Sequence, residues 1–232
     1  MDEPKVVYRV HQSWLAAREK QLLIAMAGRL PAWVTPDILT AFGLAGALVC
    51  GLGFVASRWW PPALLIVVLG LVVSWFGDSL DGTLARQRKI ERPQYGFFID
   101  HNVDIMAQVF IFFGLGVSPY MRLDTACLCL LSYWLASLYT FIRAVSIGVF
   151  QISYFGIGPT EIRMALAAYT LVMLMIGNWK LDFGPLGLGL GPLAPIDVFS
   201  VPLFLGVFGL YLSMVWAESR RLAAAEGAGS RG

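Results

Sequence analysis

Six stretches of this chain are apolar over about twenty residues each, at roughly 37–57, 61–82, 97–117, 124–149, 160–177 and 196–217. A bilayer core about 30 Å thick takes about 20 helical residues to cross. Lipid offers no partner to a backbone N–H or C=O, so segments of this kind must pair their own groups as helices. The expected fold is therefore all-α: a polytopic membrane protein with six transmembrane helices. Pro61-Pro62, Ser118-Pro119, Gly158-Pro159 and the Gly/Pro-rich run from Gly184 to Pro195 punctuate the stretches. Composition agrees, with 58% hydrophobic and only 14% charged residues. Soluble domains run nearer about 45–50% and about 25%. A net charge of +2 gives no reason to expect nucleic acid as a partner. The three cysteines, Cys50, Cys127 and Cys129, lie in apolar stretches and read as small buried side chains.

An even number of spans puts both termini on one side, and the basic residues choose the side. Lys5, Arg9, Arg18, Lys20 and Arg29 precede the first span, and Arg86, Arg88, Lys89 and Arg92 follow the second. Arg143 and Arg163 flank the fourth connection, and Arg220, Arg221 and Arg231 follow the last span. The other side carries Arg58, Arg122 and Lys180. Both termini and the basic face are expected to be cytoplasmic.

Before the first span, residues 8–30 read as an amphipathic helix. Leu22, Leu23, Met26 and Leu30 form a stripe, with Tyr8 and Trp14 nearer the start. It would lie in the membrane interface or pack on the bundle. The early residues are charged and carry no apolar h-region, so no cleavable signal peptide is expected. The organisation expected is a juxtamembrane helix within 1–34, a six-helix domain over 35–217 and a tail over 218–232 that frays after Arg221.

The chemistry concentrates where the second span ends and the third begins. Asp78 and Asp81 are three apart and share one helical face; Asp100 and Asp104 are four apart and share another. The stretch from Thr83 to Tyr95 reads as the connection between two antiparallel helices. Facing each other, the two pairs would bring four carboxylates together. Ionisable groups at membrane depth point to function. Four like charges must either protonate or hold cations. An all-oxygen donor set suits Mg²⁺, Mn²⁺ or Ca²⁺ rather than zinc, and two such ions about 3.5–4 Å apart would clamp a phosphoryl group. Arg86 follows at a distance where a guanidinium can pair with phosphate oxygens.

Asp78, Asp81, Gly82, Ala85, Arg86, Gly96, Asp100 and Asp104 spell D-x2-D-G-x2-A-R-x9-G-x3-D-x3-D. This resembles the signature of the CDP-alcohol phosphotransferases, in which the spacer before the second glycine is eight residues. Thr35-Pro36-Asp37-Ile38-Leu39-Thr40 is similar to the segment that opens the first span in that family, with Asp37 in place of Asn. The resemblance implies six transmembrane helices, a homodimer and a CDP-linked donor. It also implies that Asp78, Asp81, Asp100 and Asp104 bind metal, and that Gly82, Ala85, Arg86 and Gly96 border the CDP moiety.

His101 follows Asp100 as in the choline and ethanolamine phosphotransferases, and Gly158-Pro159-Thr160-Glu161 resembles a stretch of the same enzymes. His101 or Asp104 would serve as the base; otherwise His101 only hydrogen-bonds Asp104. Glu161 assists the base or meets a cationic head group; otherwise it is the acid of a helix's first turn. Arg143 and Arg163 contact substrate phosphate or snorkel to the interface. The reaction expected is transfer of a phosphoalcohol from the CDP-linked donor to a lipid or alcohol acceptor, with release of CMP. The donor is CDP-choline or CDP-ethanolamine toward diacylglycerol, or CDP-diacylglycerol toward a small polar alcohol. A cation transporter is disfavoured because the far halves of the spans hold few ionisable residues beyond Asp124 and Asp197 at their ends.

Overall fold

The computed structural model describes residues 8–10, 16–151, 158–182 and 191–229. Helix α1 spans Ala16–Ala27, α2 Pro36–Ala56, α3 Leu64–Arg88 after one 3₁₀ turn at Pro61–Ala63, and α4 Pro93–Val117. Helix α5 spans Leu123–Ile147, α6 Pro159–Ile176 and α7 Pro195–Gly229. Two short strand pairs complete the described residues. Strand β1 (Tyr8–Val10) runs parallel to β2 (Val149–Gln151) with Tyr8 opposite Val149. Strands β3 (Leu181–Asp182) and β4 (Pro192–Leu193) are antiparallel. Helices α2 to α7 are each long and apolar enough to cross a membrane, so the chain is an all-α polytopic membrane protein. Their outward side chains suit lipid: Phe199, Leu205 and Trp216 on α7 are each more than 60% exposed.

Local chemistry explains where the helices start. Thr35 is the N-cap of α2; its Oγ1 accepts from Ile38 N at 3.2 Å, and Pro36 takes the first position, where no N–H is needed. Pro93 and Pro159 open α4 and α6 in the same manner.

Three expectations are corrected. The second membrane helix does not give way to a loop at Thr83. It continues to Arg88, because Leu84-Ala85-Arg86-Gln87-Arg88 are strong helix formers, and it ends only where Lys89 takes a left-handed conformation at φ 57°. The connection is thus Lys89 to Arg92, and the nine residues between Arg86 and Gly96 are shared among the end of α3, this loop and the first turn of α4. The N-terminal helix is shorter than 8–30: Tyr8–Val10 is extended, and the helix covers Ala16–Ala27. Trp14 lies outside the described residues. The tail after Arg221 is helical to Gly229, as Leu222-Ala223-Ala224-Ala225-Glu226 would favour.

Helix α1 packs on the bundle. Leu23 and Ala27 are buried with Val34 and Leu39 against Leu80 and Leu84 of α3, while Leu22 and Ile24 face outward. Helices α2 and α3 touch backbone to backbone. A Cβ on Gly77 would strike Gly43 N and Leu39 O. Helix α4 approaches α2 as closely, where a Cβ on Gly114 would strike Gly51 O. These glycines let α2 serve as the spine against which both carboxylate-bearing helices lie. The loop ahead of α2 is gripped by Arg88, whose guanidinium donates to the carbonyls of Leu30 (3.0 Å), Pro31 (2.9 Å), Ala32 (3.4 Å) and Val34 (2.6 Å). Arg92 pairs with Asp37 in the first turn of α2.

The opposite end of the bundle is closed by Asp197, only 3% exposed. Its Oδ1 accepts from Arg122 N (2.9 Å) and Thr125 Oγ1 (2.5 Å) and its Oδ2 from Ala194 N (2.8 Å), fastening the start of α7 to the start of α5.

Candidate active site

The close packing of α2, α3 and α4 decides where the acidic side chains meet. Asp78 is one residue beyond Gly77, on the stretch of α3 that lies against Gly43. Asp100 and Asp104 stand one turn apart on α4. One carboxylate oxygen from each of Asp78, Asp100 and Asp104 lies within 4.8 Å of the others. They line a narrow cavity of about 10 Å³, room for about one water-sized sphere or one ion. Asp81 lines the same cavity but turns toward α2. Its Oδ2 accepts from Thr40 Oγ1 at 2.6 Å and its Oδ1 from Gly82 N at 2.5 Å. Thr40 also donates to the Pro36 carbonyl at 3.1 Å, so one hydroxyl lies between two acceptors.

Arg163 of α6 projects into this acidic group. Its Nη1 donates to Asp78 Oδ2 at 2.5 Å, and its Nη2 stands 3.8 Å from Asp104 Oδ1. The guanidinium supplies the positive charge the carboxylates require. The donor set is all oxygen and the space is ion-sized, so the residues present fit a divalent metal of the Mg²⁺ or Mn²⁺ kind.

The remaining candidates lie around the cavity without lining it. Arg86 is exposed; its Nη1 would be 3.3 Å from a Cβ on Gly82, and its Nη2 donates to Thr83 Oγ1 at 3.2 Å. Guanidinium and glycine therefore border one another just beyond the acidic group. Ala85 is half-buried in the same turn. Gly96 would have nothing within 4 Å of an added Cβ, which leaves open space at the start of α4.

His101 lies tilted over Phe97, ring centres 4.2 Å apart, and meets Phe141 edge-on at 5.1 Å. Its Nδ1 is 2.7 Å from the Phe97 carbonyl and 3.9 Å from Asp100 Oδ2. The Phe97 carbonyl, one turn back, is thus the acceptor beside Nδ1. Glu161 accepts from Gly158 N at 2.9 Å and so closes the first turn of α6. Arg143 is turned to α7, with Nε 3.7 Å from Glu218 Oε2 and its guanidinium 5.8 Å from the Tyr139 ring centre.

Sequence reasoning passed over three residues that the fold brings to this region. Thr40 was visible only as part of the segment opening α2. Arg88 grips the loop before that helix. Glu19 of α1 accepts from both Trp75 Nε1 (2.7 Å) and Thr160 Oγ1 (2.8 Å).

The sequence profile described as CDP-alcohol phosphatidyltransferase matches residues 33–215, which include every helix that lines the acidic cavity. The chain belongs to the CDP-alcohol phosphatidyltransferase family. It is similar to cholinephosphotransferase 1 of Gallus gallus, 25% identical over 169 residues that cover 67% of this chain and 48% of the relative. An uncharacterised protein of Aquifex aeolicus is 30% identical over 161 residues, 67% of this chain and 76% of that one. The phosphatidylinositol phosphate synthase of Cutibacterium acnes is 36% identical over 89 residues, 38% of this chain and 40% of its own length. The chain thus spans about half the length of the chicken relative. Within the family framework, the eight signature positions occupy one continuous region from the end of α3 to the start of α4.

Proposed function

We propose that this member of the CDP-alcohol phosphatidyltransferase family is a metal-dependent phosphotransferase of phospholipid synthesis. It transfers a phosphoalcohol group from a CDP-linked donor to a hydroxyl acceptor and releases CMP. The observation that carries this reading is the convergence of Asp78, Asp100 and Asp104, from two helices, on one ion-sized space. Asp78, Asp81, Asp100 and Asp104 would hold the divalent metal. A bound Mg²⁺ or Mn²⁺ would offset the charge of the donor's diphosphate.

The chain's own groups then have distinct tasks. Gly82, Ala85, Arg86 and Gly96 border the CDP moiety, where open space beside Gly96 and the exposed Arg86 admit a diphosphate. Thr40 orients Asp81. Asp104 or His101 accepts the proton of the acceptor hydroxyl, and Glu161 at the head of α6 assists. The hydroxyl oxygen attacks the phosphorus farther from cytidine, the bond from that phosphorus to the bridging oxygen breaks, and CMP leaves with that oxygen. Arg163 contributes positive charge toward substrate phosphate, whereas Arg143 is turned to Glu218.

The favoured donor is CDP-choline or CDP-ethanolamine, with diacylglycerol as acceptor. His101, the Gly-Pro-Thr-Glu segment and the similarity to cholinephosphotransferase 1 support it. CDP-diacylglycerol with a small polar alcohol is the second reading, favoured by the similarity to a phosphatidylinositol phosphate synthase. Arg143 faces Glu218, and Arg163 is the basic side chain lining the cavity, so an acceptor carrying its own phosphate finds a small basic surface. The basic residues around the acidic end support a cytoplasmic site and cytoplasmic termini, and the family resemblance supports a homodimer.

The test is CMP release by purified protein in lipid micelles with Mg²⁺ or Mn²⁺. CDP-choline and CDP-ethanolamine with diacylglycerol are run beside CDP-diacylglycerol with a panel of polar alcohols. Release from the aminoalcohol donors supports the favoured reading. Release only from CDP-diacylglycerol reverses the donor assignment. No release from any donor overturns the activity.

A further inference from the structure

Arg163 reaches the acidic cavity from a helix end with little packing of its own. The buried residues of α6 are Thr170 and Met173, both in its second half, where Tyr169 Oη also donates to the Tyr120 carbonyl at 2.9 Å. Between Pro159 and Tyr169 no residue is buried, and Ile162 and Met164 face outward. Apolar burial therefore fixes the far end of α6, Leu166 and Ala167 pack partly on the core, and the first turn is left to polar ties. Among the described residues, two side-chain ties join it to other helices. One is Arg163 itself, on Asp78 and Asp104. The other comes from outside the six-helix bundle.

That second tie is Glu19. Its Oε1 accepts from Thr160 Oγ1, one turn before Arg163, and from Trp75 Nε1, one turn before Asp78. A single oxygen thus joins α1, α3 and α6 beside the two residues whose pairing closes the site. Helix α1 is a firm support for this bond, because Leu23 and Ala27, one and two turns further on, are buried against Leu80 and Leu84.

We propose that Glu19 is a positioning residue for the carboxylate site, setting where α6 delivers Arg163 relative to Asp78. Both donors are neutral, an indole N–H and a hydroxyl, and they converge on one oxygen. The role therefore requires an acceptor at that point and not a negative charge. Glutamine offers the same oxygen; leucine fills similar volume and offers none. Because the bond lies outside the cavity, its loss alters the rate of the chemical step more than the binding of the donor.

The experiment compares native full-length protein with Glu19→Gln and Glu19→Leu in lipid micelles. CMP release gives kcat and the donor KM, Mn²⁺ titration followed by electron paramagnetic resonance gives metal affinity, and thermal melting gives the folded fraction. Glu19→Leu is expected to lower kcat about tenfold per folded molecule with KM within about twofold. It is also expected to change Mn²⁺ affinity at least threefold, since Arg163 and the ion contend for Asp78. Glu19→Gln is expected to stay near native in both. Native kcat and native Mn²⁺ affinity in the leucine variant would overturn the proposal, as would equal defects in the two variants. If the leucine variant does not fold, Thr160→Val removes the α6 half of the tie alone and must reproduce the kcat effect in part. The kinetic arm rests on the phosphotransferase reading. Should native protein release no CMP, that reading fails, and the Mn²⁺ arm still decides the role of Glu19.

Discussion

Asp78 has two suitors for one carboxylate. Arg163 occupies Oδ2, and a divalent ion held with Asp100 and Asp104 would need the same carboxylate. Charge at such short range is costly to leave unbalanced, so each cation excludes the other in part. Removing the guanidinium should therefore tighten metal binding while slowing transfer. Arg163→Gln is predicted to lower the Mn²⁺ dissociation constant about tenfold, equal to about 1.4 kcal/mol, and to reduce CMP release. Weaker Mn²⁺ binding in the variant would show that Arg163 supports the metal geometry instead of contending with it. Asp100→Asn makes the complementary case: the protein should insert and melt as native does, with turnover lost. Retained turnover would remove Asp100 from the site. The acidic residues were legible because helical spacing is local, and offsets of three and four assign a shared face without knowledge of the fold. Arg163 was legible only as a basic residue near a helix start. Its partner lies 85 positions away in sequence, and no periodicity reports such a pairing. Thr40 and Asp81, 41 positions apart, were hidden for the same reason.

At the scale of elements, hydropathy and helix length diverged. The apolar pattern of the second span stops near Gly82, which marks where the membrane core ends and not where the hydrogen-bond ladder ends. Helix α3 runs on to Arg88, and that extension has a purpose the apolar pattern could not disclose: it carries Arg88 to the loop between α1 and α2. A rigid guanidinium fork satisfies several carbonyls at once, whereas an ammonium is a single compact donor. Arg88→Ala is predicted to lower the melting temperature and to speed protease cleavage between Leu30 and Pro36. Arg88→Lys should recover only part of both. Cleavage unchanged in the alanine variant would mean that the loop is held by the packing of Val34 alone. The C-terminal tail was misjudged for a related reason. Its alanines look featureless in a hydropathy scan, yet they are the best helix formers available, so α7 continues past its apolar stretch.

The whole molecule separates its labours along the membrane normal. Glycine contacts between α2, α3 and α4 bring the carboxylates together at one end, while Asp197 ties α5 to α7 at the other. In the sequence Asp197 was only an acid at a span end, because its three donors come from Arg122, Thr125 and Ala194 across a connection that hydropathy does not describe. Burial makes this carboxylate a structural acceptor. Without it, the N–H groups of Arg122 and Ala194 lose this partner in a site that admits little water, while the Thr125 hydroxyl keeps the Arg122 carbonyl at 2.9 Å. Each buried donor left unpaired costs about 1–3 kcal/mol, so Asp197→Ala should destabilise the fold by several times the effect of a surface change. Asp197→Asn keeps one carbonyl oxygen and should fall between. If the two ends act independently, molecules of either variant that remain folded should release CMP at the native rate, since the acidic cavity loses no contact. The measurement is thermal melting in micelles beside turnover per folded molecule. A large melting shift with native turnover would establish the division. A turnover loss in proportion to the melting shift, in protein still folded at the assay temperature, would show instead that the pairing of α5 with α7 is transmitted to the site through the length of the bundle.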